Sequence, residues 1–315
     1  MKITVLDKST IGDVDLSIFE KFGELKTYDF TDHKKTIQNI GDSEIVITNK
    51  VVIDKDIMDQ CKKLKLICIS ATGTNNVDLE YAKKKNIVVK NVAGYSTFSV
   101  AQETFTMLFS IIGNSAYYDT YVKSKQWSKS KIFTNLDREF FEIKDKTWGI
   151  IGLGSIGREV AKIATAFGSR VIYFSTSGKN NNTEYKQVDL DELLKISDII
   201  SIHAPLNEKT ENLIKKEELC KMKKRSIIMN MGRGGIINED DLAYAIDNQE
   251  IFAGLDVVKS EPICEENPLL GVKNSEHIRF SPHIAWASIE SREKLIKMVA
   301  KNIEDFIGED NGKRA

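Results

Sequence analysis

Short apolar blocks and longer amphipathic stretches take turns along nearly the whole of this chain. The blocks at residues 3–6, 44–48, 66–69 and 87–89 are short and rich in β-branched residues, as buried strands are. Between them, Leu16, Ile18, Phe19 and Phe22 form one amphipathic piece, and residues 54–63 form another. From Ser99 the period lengthens. Phe105, Met107, Leu108, Ile111 and Ile112 make one broad face, and Ser99 is expected to cap that helix. A second series follows, with strands at 148–151, 171–174, 199–202, 227–231, 252–257 and 278–281. The spacers between them are long enough for the crossover helices that parallel strands require. Ser288 is then expected to cap a final helix whose face is Leu295, Ile296, Val299, Ile303, Phe306 and Ile307, with Gly308 ending it.

This alternation predicts an α/β protein with parallel sheets. A glycine-rich turn opens the second series mid-chain, so a domain precedes it and one helix is left over at the end. The simplest packing returns that helix to the first domain. The expected division is residues 1–98 plus 286–315 as one domain and 99–285 as the other. A run of asparagines at 180–182 reads as a polar loop.

Composition narrows the function classes. The chain has 315 residues, enough for two domains, and 45 basic against 46 acidic side chains give a net charge of -1. Without a basic excess, neither nucleic acid nor a membrane surface is an expected partner. No apolar run nears the roughly 20 residues of a membrane helix, and residues 1–5 open a strand rather than a signal peptide. Cys61, Cys68, Cys220 and Cys264 are scattered without a CxxC pair, which points to a reduced cytoplasmic protein with no metal site.

The sequence Gly152-Leu153-Gly154-Ser155-Ile156-Gly157 follows a strand and opens a helix, the context that gives GxGxxG its meaning. Gly152 permits the tight turn, Gly154 lets backbone approach a pyrophosphate, and Gly157 lets the helix pack on the sheet. The N–H groups of Ser155 and Ile156 open the helix that faces the phosphates. The domains are therefore expected to be Rossmann-like and doubly wound. At the end of the next strand, where an acid would bind the adenosine ribose of NAD, stands Ser175. No Asp or Glu follows before Glu184, which leaves room for the 2′-phosphate of NADP. Lys179 is the nearest cation in that stretch, and no arginine accompanies it.

Strand ends carry the remaining candidates, because ligands of open α/β sheets bind there. His203, Ala204 and Pro205 end one strand and are expected to wall the cofactor site. Arg233 lies among glycines in Met231-Gly232-Arg233-Gly234-Gly235, free to grip a carboxylate and a carbonyl oxygen with its planar fork. His283 follows the last strand and suits proton transfer near neutral pH. Asp256 and Glu261 are both candidates to stand beside that imidazole. His33 reads as surface and His277 as an edge residue.

These stretches resemble the D-isomer-specific 2-hydroxyacid dehydrogenase family over nearly the whole chain. The similarity runs through 203–206, 222–242, 254–256 with 261–262, and 281–286. Residues 71–78 and 91–97 resemble the glycerate dehydrogenase, or hydroxypyruvate reductase, branch. The resemblance implies an Arg, Glu and His catalytic set at Arg233, Glu261 and His283, with Asp256 near the cofactor. It also implies substrate in a cleft between domains, held in part by backbone at Ala71, Thr72 and Gly73. The implied activity is NAD(P)-dependent reduction of hydroxypyruvate or glyoxylate to a D-2-hydroxy acid. The alternatives are D-lactate or phosphoglycerate dehydrogenase, the latter less favoured because no regulatory domain is appended, and a nucleotide-sensing corepressor on the same fold. Residues 105–148 hold 10 aromatics in 44 positions, about 23% against 8% for the chain. That density predicts a homodimer interface, which the resemblance also implies.

Overall fold

The computed structural model describes residues 1–180 and 182–314; Asn181, within the asparagine run, and Ala315 lie outside the described residues. The chain divides into two compact units, Met1–Ser96 with Trp286–Ala315, and Thr97–Ala285. Each is built on one sheet of parallel strands, as the alternating pattern predicts.

The first unit pairs β1 (Lys2–Val5), β2 (Glu24–Thr27), β3 (Ile45–Thr48), β4 (Leu66–Ile69) and β5 (Val88–Lys90) in the order β2-β1-β3-β4-β5. Every residue of β3 and β4 is buried, because both faces of the sheet are covered. Successive side chains serve opposite faces. Ile45, Ile47, Leu66 and Cys68 pack against Leu295, Ile296, Val299, Ile303 and Phe306 of the helix Ile289–Arg314. Val46, Ile67 and Ile69 face Ile57, Met58 and Ala82 on the other side. The Ser288 hydroxyl accepts the Ser291 N–H at 3.2 Å, as a cap should. Gly308 does not end the helix, which continues to Arg314. A glycine costs a helix only about 1 kcal/mol relative to alanine, too little to stop it unaided.

In this unit the strand order reverses between β1 and β3, and the protein fills that crevice itself. The buried Asp7 carboxylate accepts the N–H groups of Asn49, Lys50 and Val51 at 2.6–3.2 Å.

The second unit pairs β6 (Thr147–Ile151), β7 (Arg170–Phe174), β8 (Lys186–Gln187), β9 (Ile199–Ile202), β10 (Ile227–Asn230), β11 (Phe252–Leu255) and β12 (Ile278–Phe280). Their order is β12-β11-β10-β9-β6-β7-β8. The helix Thr97–Ile112 starts two residues before Ser99, so Ser99 is not its cap. Its hydroxyl instead donates to the Ala285 carbonyl at 2.6 Å, and the unit boundary falls after Ser96 rather than Phe98. The aromatic stretch divides in two. Phe105 and Trp148 are core, their rings 5.0 Å apart, and Phe167 stacks on Phe105. Phe133, Phe140, Leu136 and Ile132 are 88%, 70%, 78% and 64% exposed, respectively. Among the described residues no helix is long and apolar enough to cross a membrane.

Candidate active site

The strand order of the second unit reverses between β6 and β9, and the glycine-rich turn sits at that switch point. Gly152 has φ +92°, and a side chain there would press on Ala204 at the end of β9. A Cβ on Gly157 would collide with the Gly152 carbonyl oxygen, so the helix Ser155–Ala166 can seat only with glycine there. Gly154 differs: a Cβ would meet nothing within 4 Å. Packing does not demand glycine at 154; an approaching ligand would. No side chain caps this helix, so its first N–H groups remain available to an anion.

A cavity of about 960 Å³ opens in front, lined by Gly152, Gly154, Ser175, His203, Ala204 and Pro205 among others. Ser155, Ile156 and Gly157 form the first turn behind it. A cavity, a glycine cradle and an uncapped helix start fit a dinucleotide. Ser175, 9% exposed, stands directly after β7 where the ribose acid would be. The wall also contains Arg158, which the sequence reading passed over. Its signal was its place one residue after the GxGxxG, within the helix's first turn.

His203 is a wall residue whose chemistry is fixed from behind. The fully buried Trp148 indole donates to the Ser201 hydroxyl at 2.9 Å, and Ser201 bonds His203 Nε2 at 3.0 Å. His203 Nδ1 is sealed from solvent without a hydrogen-bond partner. Burial pushes this imidazole down to about 3, so it stays neutral through the physiological range. The sign of the linked stability follows. The unfolded chain binds a proton near pH 6.5 that the folded chain refuses, so stability is complete above that pH and falls below it. The expected loss at pH 5 is about 2 kcal/mol relative to pH 8. Urea unfolding of the wild type and His203→Asn at both pH values checks it: the variant should lose that increment of pH dependence.

His283 follows β12 in a left-handed conformation, φ +53°, with its N–H on the Asp256 carbonyl at 2.8 Å. Its Nδ1 meets Glu261 Oε2 at 2.6 Å. The second Glu261 oxygen accepts the Val258 N–H at 3.3 Å. A carboxylate on Nδ1 holds that nitrogen as the donor and leaves Nε2 to exchange a proton. Of the two candidate acids, Glu261 is therefore the one beside the imidazole. Asp256 is 3% exposed, and its carboxylate accepts Ser281 Oγ (2.6 Å) and the N–H groups of Ile284 and Ala285. It ties down the loop that carries His283.

Arg233 follows β10 and lines up through its backbone: Asn230 Nδ2 donates to the Arg233 carbonyl at 2.8 Å. A Cβ on Gly234 would collide with the Val258 carbonyl, so the Arg233 loop lies directly on the segment leading to Glu261. In the first unit, Ala71, Thr72 and Gly73 follow β4. The Ala71 carbonyl accepts the Val92 N–H, and the Thr72 carbonyl accepts Asn91 Nδ2. Among the described residues no acceptor takes the N–H groups of Thr72 or Gly73.

A nucleotide cradle in the same unit as a carboxylate-oriented histidine is what a nicotinamide-dependent oxidoreductase requires. The chain belongs to the D-isomer specific 2-hydroxyacid dehydrogenase family, whose NAD binding domain matches residues 105–285, more than half of it. It is similar to the hydroxypyruvate reductase of Blautia hydrogenotrophica, 39% identical over 98% of this chain and 97% of that protein. The glycerate dehydrogenase of Methylorubrum extorquens is 34% identical over 97% of this chain and 96% of its own length. Among solved structures, an acyclic imino acid reductase in complex with NADPH and D-Arg superposes with a TM-score of 0.86 at 30% identity, covering 98% of each chain. As a family member the protein is an oxidoreductase that transfers hydride between a nicotinamide cofactor and small 2-oxo or D-2-hydroxy acids.

Proposed function

We propose that this enzyme reduces hydroxypyruvate or glyoxylate, with NADH or NADPH, to the D-2-hydroxy acid. The observation that carries the chemistry is the 2.6 Å contact between His283 Nδ1 and Glu261. Bound in the cradle, the nicotinamide supplies the hydride. The protein's residues do the rest. Arg233 grips the substrate carboxylate and polarises the ketone oxygen with its planar fork. The Thr72 and Gly73 N–H groups are suited to bind a carboxylate as well. His283, as imidazolium, gives its Nε2 proton to the oxygen as charge develops there, and Glu261 holds the ring and its positive charge in place. The full-length likeness to a hydroxypyruvate reductase and a glycerate dehydrogenase supports the substrate. Ser175 in place of an acid supports use of both cofactors, NADPH equal or mildly preferred.

A rate panel tests this with hydroxypyruvate, glyoxylate, pyruvate and phenylpyruvate against both cofactors. The first two should exceed the others in kcat/KM by about tenfold or more. Best turnover of phenylpyruvate would remove the substrate reading. A preference for NADH beyond about a hundredfold would remove the Ser175 reading.

The same proposal extends to a cytoplasmic homodimer joined through residues 105–148. The exposed Phe133, Leu136 and Phe140 support it, being large apolar side chains within that stretch. The free cysteines suit a reducing compartment. An obligate interface buries upwards of about 2,000 Å² and persists on dilution. Sedimentation at micromolar concentration should show twice 35.6 kDa; a monomer there would sink the dimer.

A further inference from the structure

We propose that Arg158 reads the 2′-phosphate of NADP(H) and is the residue that tips the enzyme toward that cofactor. The inference rests on the reading that the cavity at the glycine-rich turn holds the dinucleotide, with its adenosine ribose at the end of β7.

Arg158 is the fourth residue of the helix Ser155–Ala166, and its own N–H bonds the Gly154 carbonyl. Its side chain turns back toward the start of the helix, and Nη1 donates to the Leu153 carbonyl at 3.1 Å. The same carbonyl accepts Asn180 Nδ2 at 2.5 Å. One backbone oxygen thus gathers the guanidinium and the far end of the loop that follows β7. That loop is itself ordered: the Gly178 N–H reaches the Ser175 carbonyl, and the Lys179 N–H bonds Ser177 Oγ at 3.2 Å. Arg158, Ser175, Thr176, Ser177 and Lys179 all line the one cavity.

This wall has the makings of a phosphate site. Three hydroxyls can each donate, and two cations neutralise a dianion. Among the described residues no carboxylate forms an ion pair with Arg158, and the segment from Ser175 to Asn180 contains none. The bond to Leu153 uses one of the five guanidinium N–H groups. Four remain for an anion, on a guanidinium that this bond already turns toward the cavity. Lys179 adds charge but not that geometry. An aspartate at 175 would set a carboxylate in the same wall and repel the phosphate; serine sets no charge there.

The experiment measures binding by calorimetry, with adenosine 2′,5′-bisphosphate and AMP as probes, on the full chain. Wild type should bind the bisphosphate about two- to tenfold tighter than AMP, and Arg158→Gln should weaken bisphosphate binding by about 10- to 100-fold. AMP affinity should stay within about twofold, which also shows that the cradle is intact. Ser175→Asp, which sets a carboxylate in the same wall, should erase the preference in the same way. If wild type prefers the bisphosphate but Arg158→Gln keeps that preference, the assignment to Arg158 fails while the cofactor reading stands. If Arg158→Gln weakens both probes equally, Arg158 only shapes the loop and the proposal also fails. If wild type binds the two probes alike, nothing in this wall tips the enzyme toward NADP(H) and the proposal fails, while use of both cofactors stands.

Discussion

His283→Ala should lower kcat by roughly 10² to 10⁴ while cofactor affinity holds, because only the proton donor is lost. Arg233→Ala should fail differently, raising KM as well as lowering kcat, since the guanidinium holds substrate in the ground and transition states alike. Glu261→Gln keeps the hydrogen bond to Nδ1 at 2.6 Å in outline but removes the charge behind it. It should therefore reduce kcat less than His283→Ala does. Reduction consumes a proton and oxidation releases one, so the two directions should show opposite pH dependence. His203 does not confuse this profile, because burial keeps its imidazole neutral, with a pKa of about 3. Steady-state kinetics across pH 5 to 8 decide the matter. Near-full kcat from His283→Ala over that range would mean that another group carries the proton.

Asp256→Ala should strike both stability and rate. In the wild type one buried carboxylate gathers the Ser281 hydroxyl and the Ile284 and Ala285 N–H groups. Between them stands His283, whose left-handed backbone is held by its N–H bond to the Asp256 carbonyl. A residue with a side chain in that conformation costs on the order of 1 kcal/mol or more, and persists only when its surroundings enforce it. Alanine at 256 leaves three donors without their acceptor, the Ala285 N–H buried and the other two half-buried. The expected loss is about 3 kcal/mol, each unmet buried donor costing about 1–3 kcal/mol and the three not adding fully. Asp256→Asn, which retains an acceptor, should lose less. With the loop loosened, His283 no longer meets Glu261 in one geometry, so kcat should fall at saturating cofactor. Urea unfolding and kcat measured together test this. A variant within about 0.5 kcal/mol of wild type would show that the loop is held by other contacts.

Much of this is legible in the sequence. Strands β3, β4, β6, β9 and β10 are buried along their length, and only short apolar blocks can fill such positions. The glycine-rich turn was equally legible, because each glycine answers to a neighbour a few residues away: Gly157 to the Gly152 carbonyl, Gly152 to its own φ. Strands β2 and β8 were not legible. They lie at sheet edges with largely exposed side chains, and pair through backbone that leaves no apolar pattern. Density of aromatics could not separate Phe105 and Trp148, which are core, from Phe133 and Phe140, which face solvent. Nor could spacing choose between Asp256 and Glu261, two acids five positions apart after one strand. Packing chose, by turning Asp256 into the loop at 281–285 and bringing Glu261 to the imidazole. Arg158 is the clearest case. Its position in sequence says only that it begins a helix; its place in the cavity depends on the side chain folding back to the Leu153 carbonyl. Local periodicity and backbone geometry are written in neighbouring residues. The direction of a long side chain, and which of two acids meets a base, are set by contacts between segments far apart in the chain.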